Sequence, residues 1–197
     1  MFYWMMKIIF WPLIQIVFCF PCIHGKDNLP KKGGAIVVSN HVSNGDPVLL
    51  IFLLVRAVHF LAKKQLFSSP IKKWFFTGMK AIPVGRDGND VTAVRASLST
   101  VGQGKLLGVF PEGKRNKGDG MLPFEKGVAF IALRSKVPVV PVAFRKRYGL
   151  FRRPEIVMGQ PISFPQYYDQ RISQEVVTDV NQMIQLAVSD LREGVIT

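Results

Sequence analysis

The chain has 197 residues, enough for one packed domain with an appendage. It carries 26 Lys and Arg against 13 Asp and Glu, for a net charge of +13, yet 48% of its residues are hydrophobic and mean hydropathy is +0.21. This composition excludes intrinsic disorder and argues against a freely soluble enzyme; the basic, apolar surface suits an anionic membrane face or nucleic acid. The charge is uneven: residues 1–168 hold 24 of the basic and 8 of the acidic residues, whereas residues 169–197 hold 2 and 5.

Residues 1–23 include only Lys7 and Gln15 as clearly polar side chains, among two Trp, one Tyr and four Phe. The run barely reaches the ~20 apolar residues of a spanning helix, and Pro12 is expected to kink it. Aromatic crowding suits a bilayer boundary, and neither a basic start nor a small-residue cleavage site marks a signal peptide. The expectation is an uncleaved, membrane-embedded or in-plane anchor over residues 1–32, ending in Lys31 and Lys32; a buried core helix is the alternative. Cys19 and Cys22 lie in this run without the further ligands of a zinc site and read as apolar packing groups.

From residue 33 onward, strand and helix signals alternate. Residues 35–39 form a short β-branched run, Asp46-Pro47 opens a helix over 48–55, and 58–62 reads as strand. A short helix follows over 70–76, then strand 81–84, helix 89–101, strand 106–110, helix 126–135, and strands 137–144 and 155–158. Val176, Val180, Ile184, Val188 and Leu191 recur at helical spacing and mark a last amphipathic helix. The alternation predicts an α/β fold with a mixed, largely parallel sheet flanked by helices, and one catalytic domain over residues 33–197.

Two stretches lie where α/β sheets place ligands, at strand ends. In Asn40-His41-Val42-Ser43-Asn44-Gly45-Asp46, a turn at Asn44-Gly45 would bring Asp46 to His41. A carboxylate on one imidazole nitrogen fixes the tautomer and leaves the other nitrogen to take a proton from a hydroxyl. On spacing alone Asp46 serves equally well as a helix N-cap. Phe110-Pro111-Glu112-Gly113 opens into the cationic, Gly-rich stretch 114–120, which could cradle a phosphate but lacks the P-loop pattern. Gly102, Gly104 and Gly108 miss the dinucleotide fingerprint, and no Gly-x-Ser-x-Gly elbow of a serine hydrolase is present.

His41-x4-Asp46, Gly78 with Ile82-Pro83-Val84-Gly85-Arg86, Phe110-Pro111-Glu112-Gly113 and Val137-Pro138-Val139-Val140-Pro141-Val142 occur in this order. Together they resemble the glycerolipid acyltransferase family over residues 36–145. Lys114 replaces the usual Thr or Ser, and Glu125 stands where a second basic residue is common. The resemblance implies an acyltransferase acting on lysophosphatidic acid, with acyl-CoA or acyl carrier protein as donor. Another lysolipid, glycerol 3-phosphate or a non-catalytic basic membrane-binding module are the alternatives. It implies His41 as base and Asp46 as its partner, and it assigns Arg86, Glu112, Gly113 and Arg115 to the phosphoglycerol acceptor, with Lys126 as a further candidate. No metal or redox cofactor is implied, and no nucleic acid. The basic and aromatic stretches 72–76 and 145–153, with the amino-terminal segment, would then face the anionic surface of the cytoplasmic leaflet; a solvated loop is the simpler reading of 145–153.

Overall fold

The computed structural model describes residues 1–85 and 91–195. Its strands are β1 (Cys22–His24), β2 (Ala35–Ser39), β3 (Val58–Lys63), β4 (Ile82–Val84), β5 (Leu106–Val109), β6 (Val139–Phe144) and β7 (Glu155–Met158). Its helices are α1 (Phe2–Val17), α2 (Asp46–Leu53), α3 (Pro70–Gly78), α4 (Val91–Gly102), α5 (Gly127–Ser135) and α6 (Gln174–Glu193). The seven strands form one sheet in the order β1–β7–β6–β2–β5–β3–β4. From β6 to β4 every pairing is parallel, while β7 runs antiparallel to β6 and carries β1 alongside it in parallel. The sheet is thus mixed and largely parallel, as the alternation of signals predicts.

Both faces of the sheet are covered, which is why β2 reads Ala-Ile-Val-Val-Ser with all five residues buried. Ile36 and Val38 pack with Val101, Val128, Ile131, Val180 and Ile184 from the α4, α5 and α6 layer. Ala35 and Val37 point the opposite way, toward Tyr3, Ile14, Leu49 and Leu50 from α1 and α2. The carboxyl ends of β2, β5, β3, β4 and β6 therefore open on one edge, between two helical layers. That edge is where the chain places its loops of interest.

The amino terminus departs from the sequence expectation. Cys22–His24, expected within the apolar anchor, is the edge strand of the sheet. Three residues bounded by Pro21 and Gly25 are too few to show a strand period. Residues 2–17 form one helix through Pro12. The main-chain bond that proline removes is the one to the Ile8 carbonyl, on the outward face. Sixteen residues span ~24 Å at 1.5 Å each, short of the ~30 Å hydrocarbon core. Among the described residues no helix is long and apolar enough to cross a membrane.

One face of α1 is tied to the body. The Tyr3 hydroxyl accepts from the Val58 N–H at 3.3 Å, and Lys7 Nζ donates to the Leu54 carbonyl at 2.7 Å. Burial lowers the Lys7 ammonium to about 8. The other face stays apolar and open, with Ile8, Leu13 and Ile16 exposed by 75%, 52% and 62%.

Candidate active site

His41 follows β2 after a single residue, Asn40, and a turn at Asn44-Gly45 brings the chain back to the start of α2. His41 Nδ1 lies 2.7 Å from Asp46 Oδ2. That oxygen also accepts the N–H groups of Val42 at 2.7 Å and Ser43 at 2.8 Å. Gly45, and not Asp46, occupies the N-cap position of α2. The carboxylate turns back onto the loop before the helix, which resolves the choice the spacing leaves open.

Asp46 is fully buried, whereas the His41 side chain is 19% exposed. A buried carboxylate is tolerated only when its lone pairs are used. The remaining oxygen, Oδ1, accepts the Tyr148 hydroxyl at 2.7 Å. Burial, and then the adjacent Asp46 charge, push the Tyr148 phenol well above its usual range, so it stays a donor. Because a carboxylate only accepts, Nδ1 of His41 carries the proton and Nε2 presents a free lone pair. The imidazole stacks on Phe110, ring centres 4.4 Å apart, and Phe110 stacks on Phe60.

The main chain of His41 is fixed on both sides. Its N–H donates to Glu112 Oε1 at 2.9 Å, and its carbonyl accepts from the Asn116 N–H at 2.8 Å. The second Glu112 oxygen accepts from the Leu122 N–H at 3.3 Å. Burial raises the Glu112 carboxyl above its ordinary range, and the two main-chain N–H groups offset part of the rise. Gly113 turns the chain after Pro111-Glu112 with φ of 64°, a left-handed conformation that favours glycine. Asn40 seals the neighbouring strand: its amide exchanges two hydrogen bonds, of 3.0 and 2.8 Å, with the main chain of Phe144 at the end of β6.

The acyltransferase family matches residues 21–145, nearly two thirds of the sequence. The chain belongs to the acyltransferase family. A 1-acyl-sn-glycerol-3-phosphate acyltransferase of Bacillus subtilis is 28% identical over 149 residues, covering 71% of this chain and 72% of that protein. One from Borreliella burgdorferi is 29% identical over 131 residues, covering 66% of this chain and 52% of the relative. The crystal structure of the 1-acyl-sn-glycerophosphate acyltransferase of Thermotoga maritima superposes with a TM-score of 0.65. It is 25% identical and covers 87% of this chain and 71% of its own.

Of the residues this acyltransferase was expected to use, His41, Asp46 and Glu112 come together. Glu112 holds the His41 N–H with one oxygen and the Leu122 N–H with the other, a positioning contact that its place in the Phe-Pro-Glu-Gly block does not suggest. Gly113 and the exposed Arg115 sit on the loop that Asn116 ties to His41. Lys126 precedes α5, and its Nζ donates to Thr178 Oγ1 of α6 at 2.8 Å. Arg86 lies outside the described residues. His59 of β3 lies 3.2 Å from the Leu106 carbonyl through its Nδ1, and burial lowers its pKa.

Sequence reasoning missed Tyr148 and Asn40. In the sequence Tyr148 is one aromatic within a basic stretch, 102 residues from the carboxylate it touches. No local pattern reports such a pairing. The Asn-His dipeptide at a strand end was the available signal for Asn40.

Proposed function

We propose that the protein is a 1-acyl-sn-glycerol-3-phosphate acyltransferase. It transfers a fatty acyl group from acyl-CoA or acyl carrier protein to the free sn-2 hydroxyl of lysophosphatidic acid, giving phosphatidic acid. The observation that carries the reading is the 2.7 Å pairing of His41 with a buried Asp46, which leaves Nε2 turned away from the carboxylate. His41 Nε2 takes the hydroxyl proton as the oxygen attacks the thioester carbonyl carbon. The tetrahedral adduct collapses, the carbon–sulfur bond breaks, and the imidazolium returns the proton to the departing thiolate. Asp46 stabilises the imidazolium between these steps, and the enzyme forms no covalent intermediate. The only co-substrate needed is the donor.

Acceptor phosphate falls to Arg115, Lys126 and Arg86, with Gly113 shaping the loop; Arg meets a phosphate through paired hydrogen bonds. The lysolipid is reached in a membrane. The open face of α1 continues at one end into α3, where Phe2 packs on Trp74 at 4.7 Å between ring centres. At the other end the Phe151 N–H donates to the Val17 carbonyl, joining exposed Leu150 and Phe151 to the same face. An apolar face of this kind, flanked by Lys and Arg, suits a helix lying in the bilayer interface. The site would then open on the cytoplasmic leaflet, beside its lysolipid.

The test is acyl transfer by detergent-purified protein with radiolabelled donors, offered lysophosphatidic acid or glycerol 3-phosphate. Wild type is expected to form phosphatidic acid, and His41→Ala to lose ~10²–10⁴-fold in rate. Equal activity in the two proteins refutes the base. Silence with every donor and acceptor favours a binding module.

A further inference from the structure

We infer that the carboxyl-terminal edge of the sheet holds a second anion site, between the end of β6 and the far end of the loop that follows β5, and that it takes the phosphates of a coenzyme A thioester. The inference rests on the acyltransferase reading and names its donor.

The sheet order carries the first part of the argument. β2 ends at Ser39, two residues before His41, with β5 on one side and β6 on the other. The Glu112–Arg115 loop follows β5. Beyond β6 the chain enters Arg145-Lys146-Arg147, the first part of the basic stretch that the acceptor residues leave unused. These three cations, with Arg192 in the last turn of α6, line a cavity of about 230 Å³. The cavity reaches Val42, the residue after His41, and its one acidic lining residue is Asp119. Gly118 and Gly120, further along the loop that carries Arg115, close the cavity on its other side, so a two-substrate transfer would find a second cationic group next to the acceptor loop.

The charge balance carries the second part. Glu155 already answers two of the four cations: Arg145 Nη1 lies 3.0 Å from one of its oxygens and Lys146 Nζ 3.7 Å from the other. Arg145 is further held through its Nε by the Leu191 carbonyl. Arg147 donates only to a carbonyl, that of Lys117, and neither Arg147 nor Arg192 has a carboxylate partner among the described residues. Arg192 is nonetheless near enough to Glu112 for its charge to counter some of the rise that burial imposes there. Two arginines without an ion-pair partner among the described residues, one of them partly buried, line a cavity that reaches Val42. Such a pair recognises phosphate bidentately.

The size of the cavity sets which part of the ligand enters. Sites that enclose a whole small molecule run roughly 300–1,000 Å³, so about 230 Å³ fits a charged end only. Coenzyme A carries its phosphates at the end opposite the thioester, and its pantetheine arm would pass Val42 to bring the acyl carbonyl to His41. Several phosphates match this cluster better than the single phosphodiester of a carrier protein.

The test uses the full chain in a neutral detergent, titrated calorimetrically with desulfo-coenzyme A, which cannot form a thioester. Wild type and His41→Ala are expected to bind it alike. Arg147→Ala and Arg192→Ala are expected to bind it about tenfold or more weakly, the effect of removing a charge-assisted hydrogen bond to phosphate, while Arg115→Ala keeps its affinity. Arg192→Lys should recover part of the loss, and unchanged thermal unfolding of the variants keeps the comparison valid. In steady state the same two variants should raise KM for palmitoyl-CoA and leave KM for lysophosphatidic acid unchanged. Equal affinity in wild type and both variants overturns the site, as does a rise that falls on the lysolipid or only on an acyl carrier protein donor. Weakened desulfo-coenzyme A binding without any transfer by wild type would retain this site and refute the acyltransferase reading. Transfer with undisturbed binding would do the reverse.

Discussion

His41 and the cationic loop beside it are built on opposite plans. Both hydrogen-bonding groups of the His41 main chain are paired, its ring is stacked on Phe110, and its partner carboxylate accepts four hydrogen bonds. Lys114, Arg115 and Lys117 are exposed and make no side-chain hydrogen bond or ion pair among the described residues. The contrast matches the roles proposed for the two parts. Proton transfer tolerates errors of only ~0.5 Å in the position of its groups, which suits a locked histidine to the proposed role of base. A phosphate is neutralised by long side chains that can move to meet it.

The largest effect should come from breaking the locked half at its centre. His41→Ala removes the proposed base and is expected to cost ~10²–10⁴-fold in kcat, with a moderate fall in melting temperature, since buried Asp46 loses one donor but keeps its other three. Transfer assays paired with melting curves check both. Next is Glu112→Ala, which strips acceptors from the His41 and Leu122 N–H groups. Leaving two such donors unpaired should cost about 2–5 kcal/mol of stability, read as a lowered denaturant midpoint, and kcat should fall with it.

Tyr148→Phe sharpens the comparison, because the ring and its packing on Phe144 and Phe18 remain while one donor to Asp46 is lost. A charge-assisted bond of this kind is worth about 1.5–3 kcal/mol. The expected result is a roughly tenfold fall in kcat with KM for both substrates kept, whereas a merely structural tyrosine would leave kcat alone. On the cationic side, Lys126→Ala should change stability by no more than about 0.5 kcal/mol and show itself mainly in KM for the acceptor.

A half-buried cation outside the site supplies the smallest and most specific signal. Burial holds the folded Lys7 ammonium at about 8 against an ordinary 10.5. Between those values the unfolded chain binds the proton and the folded chain does not, so stability rises with pH through that window. Lys7→Met should flatten the slope of melting temperature against pH between about 8 and 10.5. The same change at exposed Lys114 should leave it untouched.

The sequence determined what is local. Alternating runs such as Ala35–Ser39 and the helical spacing in Val176–Leu191 specify strand and helix because burial on both faces, or on one, imposes those periods. His41 and Asp46 were legible because five residues and an Asn-Gly turn suffice to join them. What lay beyond sequence is what the order of strands decides. Placing β6 beside β2 carries Tyr148 to Asp46 and Arg147 to the cavity near Val42; placing β5 on the other side carries Glu112 to the His41 N–H across 71 residues. Likewise, an apolar amino terminus could pack either way. Only the folded chain fixes which face of α1 holds Tyr3 and Lys7 against the body and which presents Ile8, Leu13 and Ile16 outward. Hydrophobic burial acts without direction, so composition supplies the drive to cover a surface, while the hydrogen-bonded sheet selects the partners.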